Sequence, residues 1–406
     1  MGNDSYILVM NGGSSSLKFA MFKGDDNDCV GRGSITEIGK KAKFSCKGKL
    51  FDEKSPALPD VNLCASPGGA AQTLLEWLTS FLPKDSLRAV GHRVLNGRDI
   101  KTSQLIRPHL LAYLKSLIPL APLHQPFNIE VIDKIFAMMP DVPQVACFDT
   151  AFHTTIPMSH RRYAIPRMWE EKGVLRYGFH GLSYEYIAGK LKEVSPRAYK
   201  GRTVIAHLGN GSSLCALEGG KSVDTTMGLT VLEGLVMGTR PGNLDAGVLL
   251  YFMREAKLNE SQIERMLYHD CGLLGVSGIS SNMAELLASQ EQSAREAVDL
   301  FCLRAIREIG AFIGVLNGID ALVFAGGIGE HAVPVREQIC ASLSWLGLAL
   351  DDHKNAAVDG NKEVLISTPQ SPVEVWVIPT NEEANIANHT REVMEEHHGT
   401  WPITHD

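Results

Sequence analysis

One feature constrains this chain more than any other: a strand–turn–strand unit that occurs twice. Residues 6–10 form a short apolar run, Asn11-Gly12-Gly13-Ser14-Ser15-Ser16 a Gly/Ser turn, and residues 17–22 a second apolar run. Almost half a chain later, residues 204–208, the turn Gly209-Asn210-Gly211-Ser212-Ser213 and residues 214–217 repeat the arrangement and close at Gly219-Gly220. Self-similarity of this kind points to a duplication with two like-folded halves. A cleft between such halves is expected to bring both turns together.

The rest of the chain alternates strands and helices. Residues 321–325 read as a buried strand, followed by Gly326-Gly327-Ile328-Gly329-Glu330 and a helical pattern over 333–346. Upstream, Val298, Phe301, Ala305, Ile309, Phe312 and Leu316 recur at helical spacing until Asn317-Gly318 ends the run. The fold class expected is therefore α/β. With 406 residues, 44% of them apolar, the chain is long enough to bury two cores.

A formal charge of −7 gives no general attraction to nucleic acid or anionic membrane, so any anion site must be built locally. The eight cysteines are scattered without a C-x-x-C pair, as expected of reduced structural thiols. The N-terminus carries neither a basic flank nor a cleavage-like site, and no uncharged run spans a bilayer, so a cytoplasmic protein is expected. Asp25-Asp26-Asn27-Asp28 lacks the glycine and distal glutamate of a calcium loop and reads as a solvated hairpin turn.

Gly/Ser turns let backbone N–H groups approach phosphate oxygens while hydroxyls add donors. Either turn alone also reads as a plain hairpin connection. Their repetition shifts the balance towards function. Gly220-Lys221-Ser222 imitates the end of a P-loop, but Cys215 stands where its first glycine belongs. The run at 326–330 does not match a dinucleotide fingerprint, and it reads as backbone exposed to a ligand after a buried strand. Arg93 and Arg240 both lie among glycines, where a guanidinium fork suits a carboxylate or phosphate, although surface ion pairing is the ordinary use of an arginine. Asp149 follows an apolar strand, either organising a site or capping a turn. His180 reads as an active-site imidazole or a satisfied core histidine, and Glu382 as a metal-directed carboxylate or a residue in the first turn of the last helix.

Taken in order, these motifs resemble the acetate kinase family, whose fold belongs with hexokinase and actin. The match runs over nearly the entire chain: Asn11-Gly-Gly-Ser-Ser-Ser-Leu-Lys18, Gly91-His-Arg93, Ala121-Pro-Leu-His124, Phe148-Asp-Thr-Ala-Phe-His153, Arg176-Tyr-Gly-Phe-His-Gly181, His207-Leu-Gly-Asn-Gly211, Met227-Gly-Leu-Thr230, Glu233-Gly-Leu-Val-Met-Gly-Thr-Arg240, Gly272-Leu-Leu-Gly275, Gly326-Gly-Ile-Gly-Glu330 and Pro379-Thr-Asn-Glu-Glu383. The resemblance implies two duplicated actin/hexokinase-like (ribonuclease H-like) domains with an active-site cleft between them. It divides the chain into 1–149, with a helix at 384–406 packing on it, and a nucleotide-binding domain at 150–383.

The same resemblance implies transfer of a phosphoryl group between ATP/ADP and acetate/acetyl phosphate, with Mg²⁺ or alternatively Mn²⁺, in a homodimer that binds neither nucleic acid nor membrane. Arg93 and Arg240 would hold the acceptor and the transition state, His180 would stabilise the moving phosphoryl group, and Asp149 would organise the site. Asn11 and Glu382 would lie near the metal. Ser14, Ser16, Lys18, His207, Leu208, Gly209, Asn210, Gly211, Asn282, Gly327, Ile328, Gly329, Glu330 and His331 would follow the nucleotide, and Leu95, Leu123, Phe179 and Val231 would surround the acyl methyl. A carboxylate acceptor is already ionised at neutral pH, so no general base is required. The chain departs from the family pattern at Asn96, Arg98, Pro241, Asn243, Ala246, His331 and Ser281-Asn-Met-Ala284, which concern the nucleotide more than the phosphoryl chemistry. The rivals are a propionate kinase of the same fold and an actin-like ATP-binding protein without catalysis.

Overall fold

The computed structural model describes residues 5–397 apart from 14, 25–27, 55, 56, 58, 62, 63 and 123. The expected positions of Ser14, Leu123, the 25–27 turn and the end of the last helix lie outside the described residues. The chain divides into two compact units, one of Met1–Ala151 with Asn381–Asp406 over their described residues, the other of Phe152–Thr380.

The first unit contains β1 (Tyr6–Gly12), β2 (Ser16–Lys23), β3 (Asp28–Thr36), β4 (Lys43–Lys47), β5 (Leu87–Val94), β6 (Gln104–Leu105) and β7 (Gln144–Phe148), in the order β4-β3-β2-β1-β5-β7-β6. β1 to β4 form an antiparallel meander, β1, β5 and β7 run parallel, and β6 closes the edge antiparallel. The second unit contains β8 (Arg202–His207), β9 (Ser213–Glu218), β10 (Lys221–Thr225), β11 (Ala321–Ala325), β12 (Val364–Leu365) and β13 (Glu374–Val377), in the order β10-β9-β8-β11-β13-β12. Here too an antiparallel meander adjoins three parallel strands and an antiparallel edge. Strand for strand, β1 matches β8, β2 matches β9, β5 matches β11 and β7 matches β13. The duplicated α/β architecture expected from the two turns is the fold the chain adopts.

The parallel strands β7 and β11 are buried at every residue, as sheets covered on both faces require. In the first unit the helix Glu382–Glu396 covers β1, β5 and β7 through Ala384, Ile386, Ala387 and Val393. Its Thr390 and Ile386 approach Gly91 of β5 so closely that a Cβ there would sit 2.3 Å from Thr390 Oγ1. In the second, the helix Gln292–Val315 presents Val298, Phe301, Ala305, Ile309 and Phe312 to the core and stops where Gly318 N–H, at φ +126°, donates to Ile313 O at 2.8 Å.

One reading gains detail and one changes. The run 326–330, read as backbone after a buried strand, forms a short helix, Gly326–His331, in which Glu330 Oε1 accepts the Gly326 N–H at 2.9 Å and closes the first turn. The pattern at 333–346 breaks into the helix Val333–Ala341 and a 3₁₀ turn, Ser344–Leu346. No disulfide joins the eight cysteines, and burial pushes the Cys302 and Cys340 thiols up to about 12, which suits packing rather than reactivity. Among the described residues no helix is long and apolar enough to cross a membrane.

Candidate active site

In the first unit the polar groups gather where β1, β5 and β7 end. Arg93, next to last in β5, places its Nε 3.0 Å from Asp149 Oδ1 and its Nη2 2.6 Å from Oδ2, a two-pronged pair. Asp149 directly follows β7, parallel neighbour of β5, and is fully buried, whereas the Arg93 side chain keeps 22% of its surface exposed. Arg93 Nη1 also donates to Asn11 Oδ1 at 3.5 Å, and its Nε lies 3.5 Å from Glu382 Oε2. Burial opposes the Arg93 charge, but Asp149 and Glu382 raise its pKa further. Burial, with Asp149 and Glu383 nearby, pushes the Glu382 carboxyl up to about 7 against the pull of Arg93 and Lys18. Lys18 on β2 stands opposite Asn11 in the β1–β2 register, and Ser16 O receives the Gly13 N–H at 2.8 Å across the turn.

The loop after β5 is held by Asn128 and Gln125, which carried no sequence signal, and by Thr150, which stood in a recognised motif without a role. Asn128 donates to Gly12 O at 2.7 Å and accepts from Leu95 N–H at 3.2 Å, tying the turn to the loop. Gln125 bonds both the N–H and the C=O of Asn96, and Thr150 Oγ1 receives the Gly97 N–H. Asn96 is fully buried, and its Nδ2 has no hydrogen-bond partner among the described residues. Leu95 is also buried, at 8% exposure. The unit's cavity of about 690 Å³ shares none of these groups: it lies at the opposite strand ends, lined by Tyr6, Leu75, Leu78, Leu87 and Met394.

In the second unit the turn after β8 is locked by Ser212, whose Oγ accepts the Gly209 N–H at 3.1 Å and donates back to Gly209 O at 2.8 Å. The N–H groups of Ile328 and Gly329 both donate to Leu208 O, which fastens the 326–331 helix to that turn. One oxygen of Glu330 holds the Gly326 and Thr380 N–H groups, so this carboxylate organises backbone. Gly327, His331 and Asn282 are exposed, and Asn282 caps the helix Met283–Ala288 through Ala284 N–H.

His180 precedes the helix Gly181–Val194 in a left-handed conformation, φ 59°. Its Nδ1 lies 2.8 Å from Ser213 Oγ, and its ring stacks on His207 with centroids 4.4 Å apart. His207 Nδ1 meets Ser183 Oγ at 2.8 Å, and Ser183 meets Thr380 Oγ1 at 2.7 Å. Buried His153 fixes the approach to His180, with Nε2 2.9 Å from Phe179 O and Nδ1 2.9 Å from Ser222 Oγ.

Arg240 Nη1 donates to Val231 O at 2.7 Å, and a Cβ added to Gly211 would stand 2.8 Å from Arg240 Nη2 and 3.3 Å from His180 Nε2. The guanidinium and the imidazole therefore border one point on the turn. The loop carrying Val231 is braced by Glu233, which takes Arg176 Nη2 at 2.7 Å and the Tyr163 hydroxyl at 2.6 Å. Arg176 and Thr380 stood inside recognised motifs without a role and Ser183 two residues beyond one, while Tyr163 gave no signal. Two anion-directed donors beside glycine backbone suit phosphate; a carboxylate-rich cluster around an arginine suits an acceptor with a cation.

The model of the acetokinase family matches residues 6–388 of this chain. An acetate kinase of Rhodopseudomonas palustris is 44% identical over 391 residues, covering 94% of this chain and 97% of that protein, and one of Methylocella silvestris is 42% identical, covering 96% and 98%. Among solved structures, the acetate kinase of Porphyromonas gingivalis (33% identity, TM-score 0.84) and a propionate kinase of Francisella tularensis (35%, 0.87) each cover 96% of this chain, which covers 100% of theirs. With both clusters carried by the motifs that the family model spans, this chain belongs to the acetokinase family.

Proposed function

We propose that the chain catalyses reversible transfer of the γ-phosphoryl group of ATP to acetate, giving acetyl phosphate and ADP. The observation that carries this reading is the convergence of Arg240 Nη2 and His180 Nε2 on Gly211, in a turn fastened to the 326–331 helix. An acetate oxygen attacks the γ-phosphorus while the bond to the β-phosphate oxygen breaks, and the electron pair leaves on ADP. The acceptor is already an anion, so the protein's task is to position reactants and neutralise charge. The second unit, through the 207–211 turn and the 326–331 helix, holds the nucleotide. Arg240 and His180 donate to the equatorial oxygens, and Arg93, kept in orientation by Asp149, faces the acetate carboxylate. On family resemblance, the buried Leu95 borders its methyl.

Mg²⁺ fits the first unit's donors, because Asn11 Oδ1 and the Glu382 carboxylate are hard oxygen ligands. Mg²⁺ is commonly held by one or two protein oxygens together with substrate phosphates, and these two oxygens would serve that arrangement. Bound there, Mg²⁺ supplies charge neutralisation of the β- and γ-phosphates. The reading extends, on family resemblance, to a cytoplasmic homodimer.

The test is ADP release in the presence of acetate, Mg²⁺ and ATP, with hydroxylamine trapping of the acyl phosphate. Hydroxamate formation that requires acetate supports the reading; ATP binding without hydroxamate from acetate or propionate overturns it in favour of an ATP-binding protein. A propionate kinase is the second reading, favoured by the Francisella tularensis structure, and a higher kcat/KM for propionate than for acetate would select it.

A further inference from the structure

His180 leaves its own hydrogen placement to be deduced, and its neighbours settle it. Ser213 Oγ stands between two partners, His180 Nδ1 at 2.8 Å and the Tyr184 hydroxyl at 2.5 Å. Tyr184 is fully buried, and among the described residues Ser213 is the one hydrogen-bond partner of its phenol. Burial pushes that phenol well above its usual range, so it stays protonated and must place its hydrogen somewhere.

Were Ser213 to accept from both partners, its own buried hydrogen would have no acceptor among the described residues, so two arrangements remain. In one, Tyr184 donates to Ser213, and Ser213 passes its own hydrogen to His180 Nδ1, leaving the imidazole hydrogen on Nε2. In the other, His180 Nδ1–H donates to Ser213, Ser213 donates to the phenol oxygen, and the phenol hydrogen is buried with no acceptor. The second leaves a desolvated donor unmade, and the first satisfies every group.

We infer that Ser213 and Tyr184 are positioning residues that hold His180 as the neutral Nε2–H tautomer, a fixed hydrogen-bond donor aimed at the Gly211 turn beside Arg240. The stack on His207 fixes the plane of the ring, and Ser183 and Thr380 anchor His207 in turn. A donor is what the chemistry calls for. The acceptor is an anion with no proton to lose, so a basic Nε2 would have nothing to remove and would turn a lone pair towards phosphoryl oxygens. This inference rests on the role proposed above for His180.

The experiment compares full-length wild type with Tyr184→Phe, Ser213→Ala and Ser213→Thr, reading the His180 tautomer by ¹⁵N-imidazole NMR alongside kcat and KM for acetate and ATP. Wild type and Ser213→Thr are expected to show the Nε2–H ring. Ser213→Ala and Tyr184→Phe are expected to give mixed tautomers and a loss of kcat of roughly 10- to 100-fold with KM little changed, below the cost of removing a transition-state donor outright. An Nδ1–H ring in wild type, or an unaltered tautomer and kcat in both Ser213→Ala and Tyr184→Phe, overturns the inference. His180→Ala separates the two readings. If it turns over normally, the proposed role of His180 falls; if it is inactive while the positioning variants behave as wild type, only the tautomer device falls.

Discussion

The two units share a strand order and differ in how each holds its arginine. Arg93 is gripped by charge: both prongs of Asp149, with Glu382 and Asn11 close by. Arg240 bonds a backbone carbonyl and stands beside a histidine set in a net of hydroxyls. Two carboxylates, Asp149 and Glu382, stand against Arg93, whereas Arg240 stands beside the His180 imidazole. The shared strand order therefore does not place the two arginines equivalently: Arg93 and Asp149 come from the ends of β5 and β7, whereas Arg240 comes from the loop after β10 and His180 from the segment before the helix Gly181–Val194.

The most severe test of that contrast is to remove each arginine. Arg93→Ala and Arg240→Ala are both expected to lower kcat by on the order of 10²-fold or more. Their stabilities should separate. Arg93→Ala strands the fully buried Asp149 carboxylate and should cost about 3 kcal/mol in denaturant unfolding. Arg240→Ala removes, among its interactions, a bond to a backbone carbonyl, and should cost less than Arg93→Ala. Equal losses of stability would show that the two grips do not differ as described.

Much of this arrangement is legible in the sequence, and the reasons for the remainder are physical. The paired Gly/Ser turns announce the duplication because turn chemistry is local, and β11 coincides with the expected 321–325. The grip of Asp149 on Arg93 is not legible, since it depends on β5 and β7 being parallel neighbours across a long crossover. Tyr184 is hidden for another reason: an aromatic in the first turn of an amphipathic helix reads as core, which it is, and only the position of Ser213 on β9 gives its hydroxyl a task. The helix Gly326–His331 is not legible because three glycines argue against it, and the capping Glu330 overrules them.

Proton linkage should also part the units, with opposite signs. The Glu382 pKa is raised in the fold to about 7, so its contribution to stability is complete below about 4.5 and lost as pH rises through 7. His153 in the second unit is lowered by burial to about 4, so its contribution is complete above about 6.5 and lost as pH falls through 4. Relative to wild type, Glu382→Gln should therefore gain stability between pH 4.5 and 7, by on the order of 2 kcal/mol given its partial exposure. The deficit of His153→Asn should shrink by a similar order, about 2 kcal/mol, between pH 6.5 and 4. Unfolding in urea across this range reads both, and parallel curves for variant and wild type would contradict the assigned shifts.

Acyl selectivity is expected to be graded. If Leu95 borders the substrate methyl, acetate should be preferred over propionate, and Leu95→Ala should narrow that preference by roughly 10- to 200-fold, the worth of about one methylene in an apolar pocket. The ratio of kcat/KM values for the two acids measures it. A wild-type preference for propionate, or a ratio unmoved in Leu95→Ala, removes Leu95 from the pocket.

The smallest effect concerns one strained residue in each unit. Arg98, where the family pattern has a glycine, and His180 both hold left-handed backbone, at φ 53° and 59°. That conformation disfavours any side chain with a Cβ, by roughly 1–2 kcal/mol, whereas glycine adopts it freely and surrenders part of the gain to its looser unfolded chain. Arg98→Gly should therefore stabilise the protein by about 0.5–1 kcal/mol, and its turnover should stay close to wild type because the Arg98 N–H bond to Asn96 Oδ1, at 2.8 Å, survives the change. His180→Gly relieves the same strain and should be no less stable than His180→Ala, yet it forfeits the donor and with it catalysis. On this expectation, strain at His180 accompanies the proposed donor, while strain at Arg98 lies outside the proposed chemistry. Urea midpoints and kcat for Arg98→Gly, His180→Gly and His180→Ala decide the matter: a destabilised Arg98→Gly would mean that the arginine side chain anchors the loop behind Arg93, and the first unit would then hold its acceptor arginine by one more charge than the second.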